Sequence, residues 1–230
     1  MKLNGTYVLG DIHADWPALN TFINKKNPEI IMSAGDFGYW PRYKGPNHSI
    51  SNIKNKDTKI YWCDGNHEDF YSIRDNILTP NKLEVAKNIF YQPRGSVLTL
   101  PDGRNVMFIG GAWSIDYQNR VDGVSWFEKE ELIWEKDIEN IYNYKEDDID
   151  LIISHTAPTE FVLGVWGNEN YDPSRKVLSH VLDYLKPKQW IFGHWHLYKT
   201  DLYNYKGNTS RACRWTCLNM SYNTNWWLEI

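Results

Sequence analysis

Five of the chain's seven histidines, His13, His67, His155, His194 and His196, each stand just past a short apolar run. Carboxylates and an amide accompany them. Asp11 lies two residues before His13 in Gly10-Asp11-Ile12-His13, and Asp36 sits in Gly35-Asp36-Phe37-Gly38. Asn66 and His67 are adjacent in Gly65-Asn66-His67-Glu68, and His194 and His196 follow Gly193 two residues apart. Residues at i and i+2 of an extended segment point the same way, so each such pair can reach one ion. Imidazoles, carboxylates and an amide oxygen make a borderline-hard donor set. It suits Mn, Fe, Zn, Co or Ni better than copper or calcium. Two such ions about 3.5–4 Å apart form the clamp used in hydrolytic phosphoryl chemistry. Asp36, a carboxylate near the middle of the set, is the natural bridge.

Each motif alone has a plainer explanation. Asp11 could serve a turn, and Asn66 could cap a helix with Glu68 in its first turn. His155 could be a hydrogen-bonded residue at a strand end, and His194 and His196 could lie in a surface loop. What favours a metal centre is the combination: five groups, each at the end of an apolar run.

The elements that must position these groups are legible. Thr6 to Leu9, Ile30 to Ser33, Ile60 to Cys63, Val106 to Ile109, Leu151 to Ser154 and Trp190 to Phe192 read as short buried strands. Ligands of open α/β sheets collect at the carboxyl ends of the strands. Asp15 is placed to cap a helix that starts at Trp16 and Pro17, and Asp172 and Pro173 make a similar start for a helix stopped by Pro187. An acidic region from Ser125, through Glu128 to Leu132, is expected to be helical and to continue towards Tyr142. The Tyr-, Thr- and Trp-rich part from Tyr198 reads as strands and turns. The sum is an α/β layered chain with a second sheet. No repeat or linker divides it, so a single domain over 1–230 is expected.

Composition narrows the partners. With 25 basic and 29 acidic residues the formal net charge is -4. Nothing in that balance draws the chain to nucleic acid or anionic membranes. No apolar run is long enough to cross a bilayer and no apolar leader follows Met1, so a cytoplasmic location is expected. The three cysteines, Cys63, Cys213 and Cys217, fit a reducing compartment better than a disulfide framework.

The ordered set from Gly10 to His196 resembles the calcineurin-like metallophosphoesterase superfamily. The stretch Gly110-Gly111-Ala112-Trp113-Ser114-Ile115-Asp116 and the later Trp126 to Glu131 resemble its compact bacterial and phage members. The resemblance implies a four-layer fold, a two-sheet β-sandwich flanked by helices. It implies one metal on Asp11, His13, Asp36 and His196 and a second on Asp36, Asn66, His155 and His194. Asn66 thereby joins the catalytic set. His67 is implied to face the substrate phosphate and to protonate the leaving oxygen or stabilise its charge. The activity implied is hydrolysis of phosphate monoesters or diesters by a hydroxide formed from a water bridging two divalent ions, with manganese the favoured metal. A histidine near its ordinary pKa of about 6.5 suits the proton-donating role. Asp64 and Glu68 are candidates to orient it.

The sequence departs from the protein serine/threonine phosphatases of that superfamily. Phe37-Gly38-Tyr39-Trp40 replaces their Asp-Arg-Gly, and Asp64 precedes Gly65 where they have an arginine. Arg42, Arg94 and Arg120 are the candidate replacements for a phosphate-binding arginine. A small-molecule phosphate ester is the expected partner, with nucleotides among the candidates. Tyr39, Trp40, Trp166, Tyr171 and Trp195 could stack a base, although packing is the favoured role for most of them. Gly164 to Asn170, with Trp166, could form a lid. A protein phosphatase, a nuclease and an inactive scaffold of the same fold are the alternative functions.

Overall fold

The computed structural model describes residues 4–43, 45, 48–164, 172–206 and 211–230. Among them the strands are β1 (Thr6–Leu9), β2 (Ile30–Ser33), β3 (Lys59–Trp62), β4 (Glu84–Ala86), β5 (Ile89–Tyr91) and β6 (Ser96–Thr99). They continue with β7 (Asn105–Ile109), β8 (Leu151–Ser154), β9 (Gln189–Phe192), β10 (Lys199–Asn204), β11 (Ala212–Cys217) and β12 (Trp227–Glu229). The helices are α1 (Trp16–Lys26), α2 (Phe70–Ile73) and α3 (Pro173–Leu185).

Two mixed sheets of six strands result, ordered β12-β1-β2-β3-β5-β4 and β10-β11-β9-β8-β7-β6. Within the first, β1, β2, β3 and β5 run parallel, and within the second β7, β8, β9 and β11 do. The strand alternation sets the layers, because successive side chains point to opposite faces. Val8, Met32, Val106, Phe108, Leu151, Ile153 and Ile191 fill the space between the sheets. Their neighbours Tyr7, Leu9, Ile31 and Ile60 face outward onto Trp16, Leu19, Phe22 and Ile23 of α1. On the far side Met107, Ile109, Ile152, Trp190 and Phe192 meet Leu178, Val181, Leu182 and Leu185 of α3. Each such side chain stabilises the stack by roughly 1.5–3 kcal/mol through burial. This is the expected four-layer sandwich flanked by helices.

Both long helices start and stop as their sequences demand. Asp15 accepts the Ala18 N–H at 3.1 Å and Asp172 accepts the Ser174 N–H at 2.8 Å. Asn27 at φ 51° and Lys186 at φ 46° turn the chain out of α1 and α3 in left-handed conformations. The acidic region does not become the expected helix. Residues 125–134 are turns and loop, and only Glu135–Asn143 coils, as a 3-10 segment. The reason is visible in its carbonyls. Those of Glu130, Glu131 and Leu132 accept hydrogen bonds from the Arg94 guanidinium, not from a following helical turn. No helix among the described residues is long and apolar enough to cross a membrane.

Candidate metal centre

The parallel strands deliver the chemistry to one edge of the sandwich. Asp11 and His13 follow β1, Asp36 follows β2, and Asn66 and His67 follow β3; His155 follows β8, and His194 and His196 follow β9. The two sheets meet there: His155 Nε2, from the second sheet, lies 3.3 Å from Asp36 Oδ2, from the first. Asp11 Oδ2 is 3.0 Å from His196 Nε2 and 3.9 Å from His13 Nε2, and those two imidazole nitrogens are 3.2 Å apart. Asn66 Oδ1 stands 3.0 Å from both His155 Nε2 and His194 Nδ1. Asp36 Oδ2 is also 3.7 Å from His13 Nε2, so one carboxylate faces both halves of the cluster.

The backbone is bent to achieve this. His13 (φ 49°), Asp36 (φ 44°), His194 (φ 69°) and His196 (φ 49°) all adopt the left-handed conformation that non-glycine residues avoid. Such strain collects at functional sites. Backbone donors also orient the carboxylates. The His194 N–H points at Asp11 at 2.9 Å, and the His67 N–H at Asp36 Oδ1 at 2.9 Å. Gly193 and Gly65 are required by close approach, since a Cβ on either would overlap the Asp11 or Asp36 carboxylate.

The titratable groups of the cluster perturb one another strongly. Burial works to raise Asp36, but His155, His67 and His13 outweigh it and hold the carboxyl well below the usual range. Burial opposes charge on His155, yet Asp36 and Asp11 push it up to about 10. His155 Nδ1 donates to the Ala34 carbonyl at 2.8 Å, which leaves Nε2 as its ligand-capable nitrogen. Burial, reinforced by His155, holds His194 well below an ordinary imidazole. Ligand-capable atoms of Asp11, His13 and His196 lie within 4.8 Å of one another, as do those of Asp11, Asp36 and His155. Protons and divalent cations compete for such groups, and the mixed donor set fits divalent cations.

All seven expected ligand residues and His67 therefore converge. The residues expected to orient His67 do not touch its ring. Asp64 is taken by Tyr91 Oη at 2.8 Å and Arg94 Nη2 at 2.7 Å, and Glu68 accepts the Phe37 N–H at 2.7 Å and the Gly38 N–H at 3.2 Å. Nor does His67 keep its ordinary pKa: burial lowers it, and Arg120 and the neighbouring histidines add to this against the pull of Asp36.

The arginines separate. Arg94 is a half-buried structural strut held by Asp64 at 2.7 Å, and Arg42 is paired with Asp69 at 2.6 Å. Arg120 alone of the three reaches His67, Nη2 to Nε2 at 2.8 Å, and is braced by Asp116 at 2.7 Å. His67 also borders a cavity of about 280 Å³ whose lining is completed by His13, Ala14, Trp40, Tyr43 and His48. Of the aromatic candidates, Tyr39 is core, packed on Trp62, and Trp195 lies against the Arg175 guanidinium. Trp166 and Tyr171, with most of the Gly164–Asn170 segment, lie outside the described residues. All three cysteines are buried and unbridged.

Sequence reasoning gave no role to Ser114 and Glu131, which contact Asn66 directly and through one intervening residue. Their only signal was the resemblance of their surrounding stretches to compact relatives.

Comparison with known proteins agrees with this geometry. Two solved structures share the fold. One has a TM-score of 0.60 at 14% identity, with 97% of this chain and 94% of the other covered. The other, TT1561 of Thermus thermophilus, has a TM-score of 0.59 at 12% identity, with 95% and 91% covered. At such identities the likeness is one of fold alone. No curated protein matches the sequence. The family model described as calcineurin-like phosphoesterase matches residues 6–198, which takes in every group of the centre, and the chain belongs to that family.

Proposed function

We propose that the chain is a dinuclear-metal phosphoesterase, hydrolysing phosphate monoesters or diesters. The observation that carries this reading is the meeting of Asp11, His13, Asp36, Asn66, His155, His194 and His196 within hydrogen-bonding and ion-pairing distance where the strand ends of the two sheets come together. In this reading Asp11, His13, Asp36 and His196 hold one divalent cation, and Asp36, Asn66, His155 and His194 hold the other. Bound there, the cations would supply a nucleophile from water and offset phosphoryl charge. Manganese is the favoured metal among the Mn, Fe, Zn, Co and Ni that the donor set suits.

The residues of the chain supply the rest. His67 borders the cavity beside the cluster, within reach of a phosphate ester there, and serves the leaving oxygen as proton donor or charge stabiliser. Arg120, the one of the three arginines that touches His67, takes the phosphate-binding role while it stays braced by Asp116. Trp40 walls the cavity and offers a flat face to the group esterified to the phosphate, a nucleobase among the candidates.

The test is hydrolysis of an aryl phosphate monoester and an aryl phosphodiester with manganese in excess. Turnover that disappears on chelation and returns with metal is expected. An Asp36→Ala chain is expected to bind neither cation, because its carboxylate faces both halves of the cluster. A folded wild-type chain that binds no divalent cation would end this reading.

A further inference from the structure

Asn66 is gripped on the side facing away from the cluster. Its Nδ2 donates to Ser114 Oγ at 3.0 Å, and Ser114 Oγ donates in turn to Glu131 Oε2 at 3.0 Å. The other Glu131 oxygen accepts the Ser114 N–H at 2.9 Å and the Trp126 Nε1–H at 3.1 Å. Asn66, Ser114 and Glu131 are all buried. Neutral donors alone pair with the Glu131 carboxylate among the described residues.

The chain of bonds has a direction. An ionised carboxylate only accepts, so the single hydroxyl proton of Ser114 must go to Glu131. Ser114 Oγ is then left as an acceptor towards Asn66, and the amide must present its NH2 there. The carbonyl oxygen is thereby forced to the opposite side, 3.0 Å from His155 Nε2 and from His194 Nδ1. An amide turned over would aim N–H groups into the cluster and could not bind a cation.

We propose that Ser114 and Glu131 are positioning residues that lock the Asn66 amide with its oxygen towards the metal centre. The inference rests on the dinuclear reading above, and it assigns a task to the two stretches, 110–116 and 126–131, that the ligand set leaves unexplained. Groups that orient a ligand in this way govern affinity without touching the ion.

The experiment is manganese titration followed by electron paramagnetic resonance on the wild type and on Glu131→Gln, Ser114→Ala and Trp126→Phe chains, with folding checked by circular dichroism. It is run at about pH 8, where the Glu131 carboxyl, pushed up to about 7 by burial, is ionised. Glu131→Gln keeps the shape but lets an amide donate to Ser114, which frees the serine proton for Asn66 and favours the turned-over amide. Ser114→Ala removes the acceptor outright. Both are expected to weaken one of two manganese equivalents about 10- to 100-fold and leave the other unchanged. Trp126→Phe removes a hydrogen bond from the same carboxylate without altering the direction of the chain, and is expected to keep wild-type affinity. Wild-type affinity in folded Glu131→Gln and Ser114→Ala chains, or equal losses in all three variants, overturns the positioning role while the dinuclear centre stands. Absence of manganese binding in the wild type overturns both.

Discussion

Arg120 Nη2 lies 2.8 Å from His67 Nε2, and this contact fixes the histidine's protonation. A guanidinium can only donate, so Nε2 must be the acceptor and a neutral His67 carries its proton on Nδ1. The lowered pKa of His67, set first by burial and then by Arg120 among its neighbours, agrees with a neutral ring. A phosphate group arriving between the two would take the guanidinium as its own partner and release Nε2, which must then take up a proton before it can serve the leaving oxygen as donor.

His67→Ala is therefore expected to keep both metal equivalents and lose about 100- to 10,000-fold in turnover, the usual worth of a positioned acid–base group. Arg120→Lys is expected to raise KM more than it lowers kcat. A lysine cannot hold Asp116, the Ser125 carbonyl and a phosphate with one planar fork. Steady-state kinetics beside metal analysis check both. A His67→Ala enzyme with wild-type kinetics would remove the assigned role.

Arg94 provides the contrast. Its guanidinium spans Asp64, Asp137 and the carbonyls of Glu130 and Leu132 away from the ligand cluster. Arg94→Ala leaves the buried Asp64 carboxylate without its cation, so about 3–5 kcal/mol of stability should be lost. Urea unfolding measures the loss. Were Arg94 instead a phosphate ligand, the variant would keep its stability and lose substrate affinity.

How much of this was legible in the sequence depended on range. The ligand residues were readable because each is tied to the end of a buried strand. Apolar runs such as Leu151 to Ser154 announce themselves locally, and three of the six expected strands have the expected ends. α1 and α3 were readable from Asp15 and Asp172, whose side chains cap them. The segment from Ser125 was misread because its fate is decided from a distance. Arg94, 36 residues from Glu130, captures the carbonyls a helix would have used. The partners of His67 failed for the same reason. Adjacency suggested Asp64 and Glu68, while the contact is made by Arg120, 53 residues on.

Gly193 and Gly65 should tolerate no side chain. In Gly193→Ala the new methyl group meets the Asp11 carboxylate, and in Gly65→Ala it meets that of Asp36. Forcing an extra carbon into packed surroundings costs about 1–3 kcal/mol. Here the displaced atoms are ligand oxygens. Each variant is expected to fold with a lowered melting temperature and to lose divalent-cation affinity. Calorimetry with and without manganese separates the two effects, and a variant with unaltered metal-induced stabilisation would count against the assigned role of the displaced carboxylate.

Glu131 should make the stability of the metal-free chain depend on pH. Burial raises its carboxyl from 4.5 to about 7, against hydrogen bonds from Ser114 and the attraction of Arg120. Because the folded value is the higher one, the folded chain binds the proton more tightly than the unfolded chain does. The resulting stabilisation is fully present below pH 4.5 and is lost as pH rises through about 7. The full span corresponds to about 3 kcal/mol at 1.36 kcal/mol per pKa unit. Glu131→Gln has no proton to lose, so its unfolding free energy should fall less than that of the wild type between those limits. Parallel stability profiles for the two chains across that window would mean that the Glu131 carboxyl is not held above its ordinary pKa.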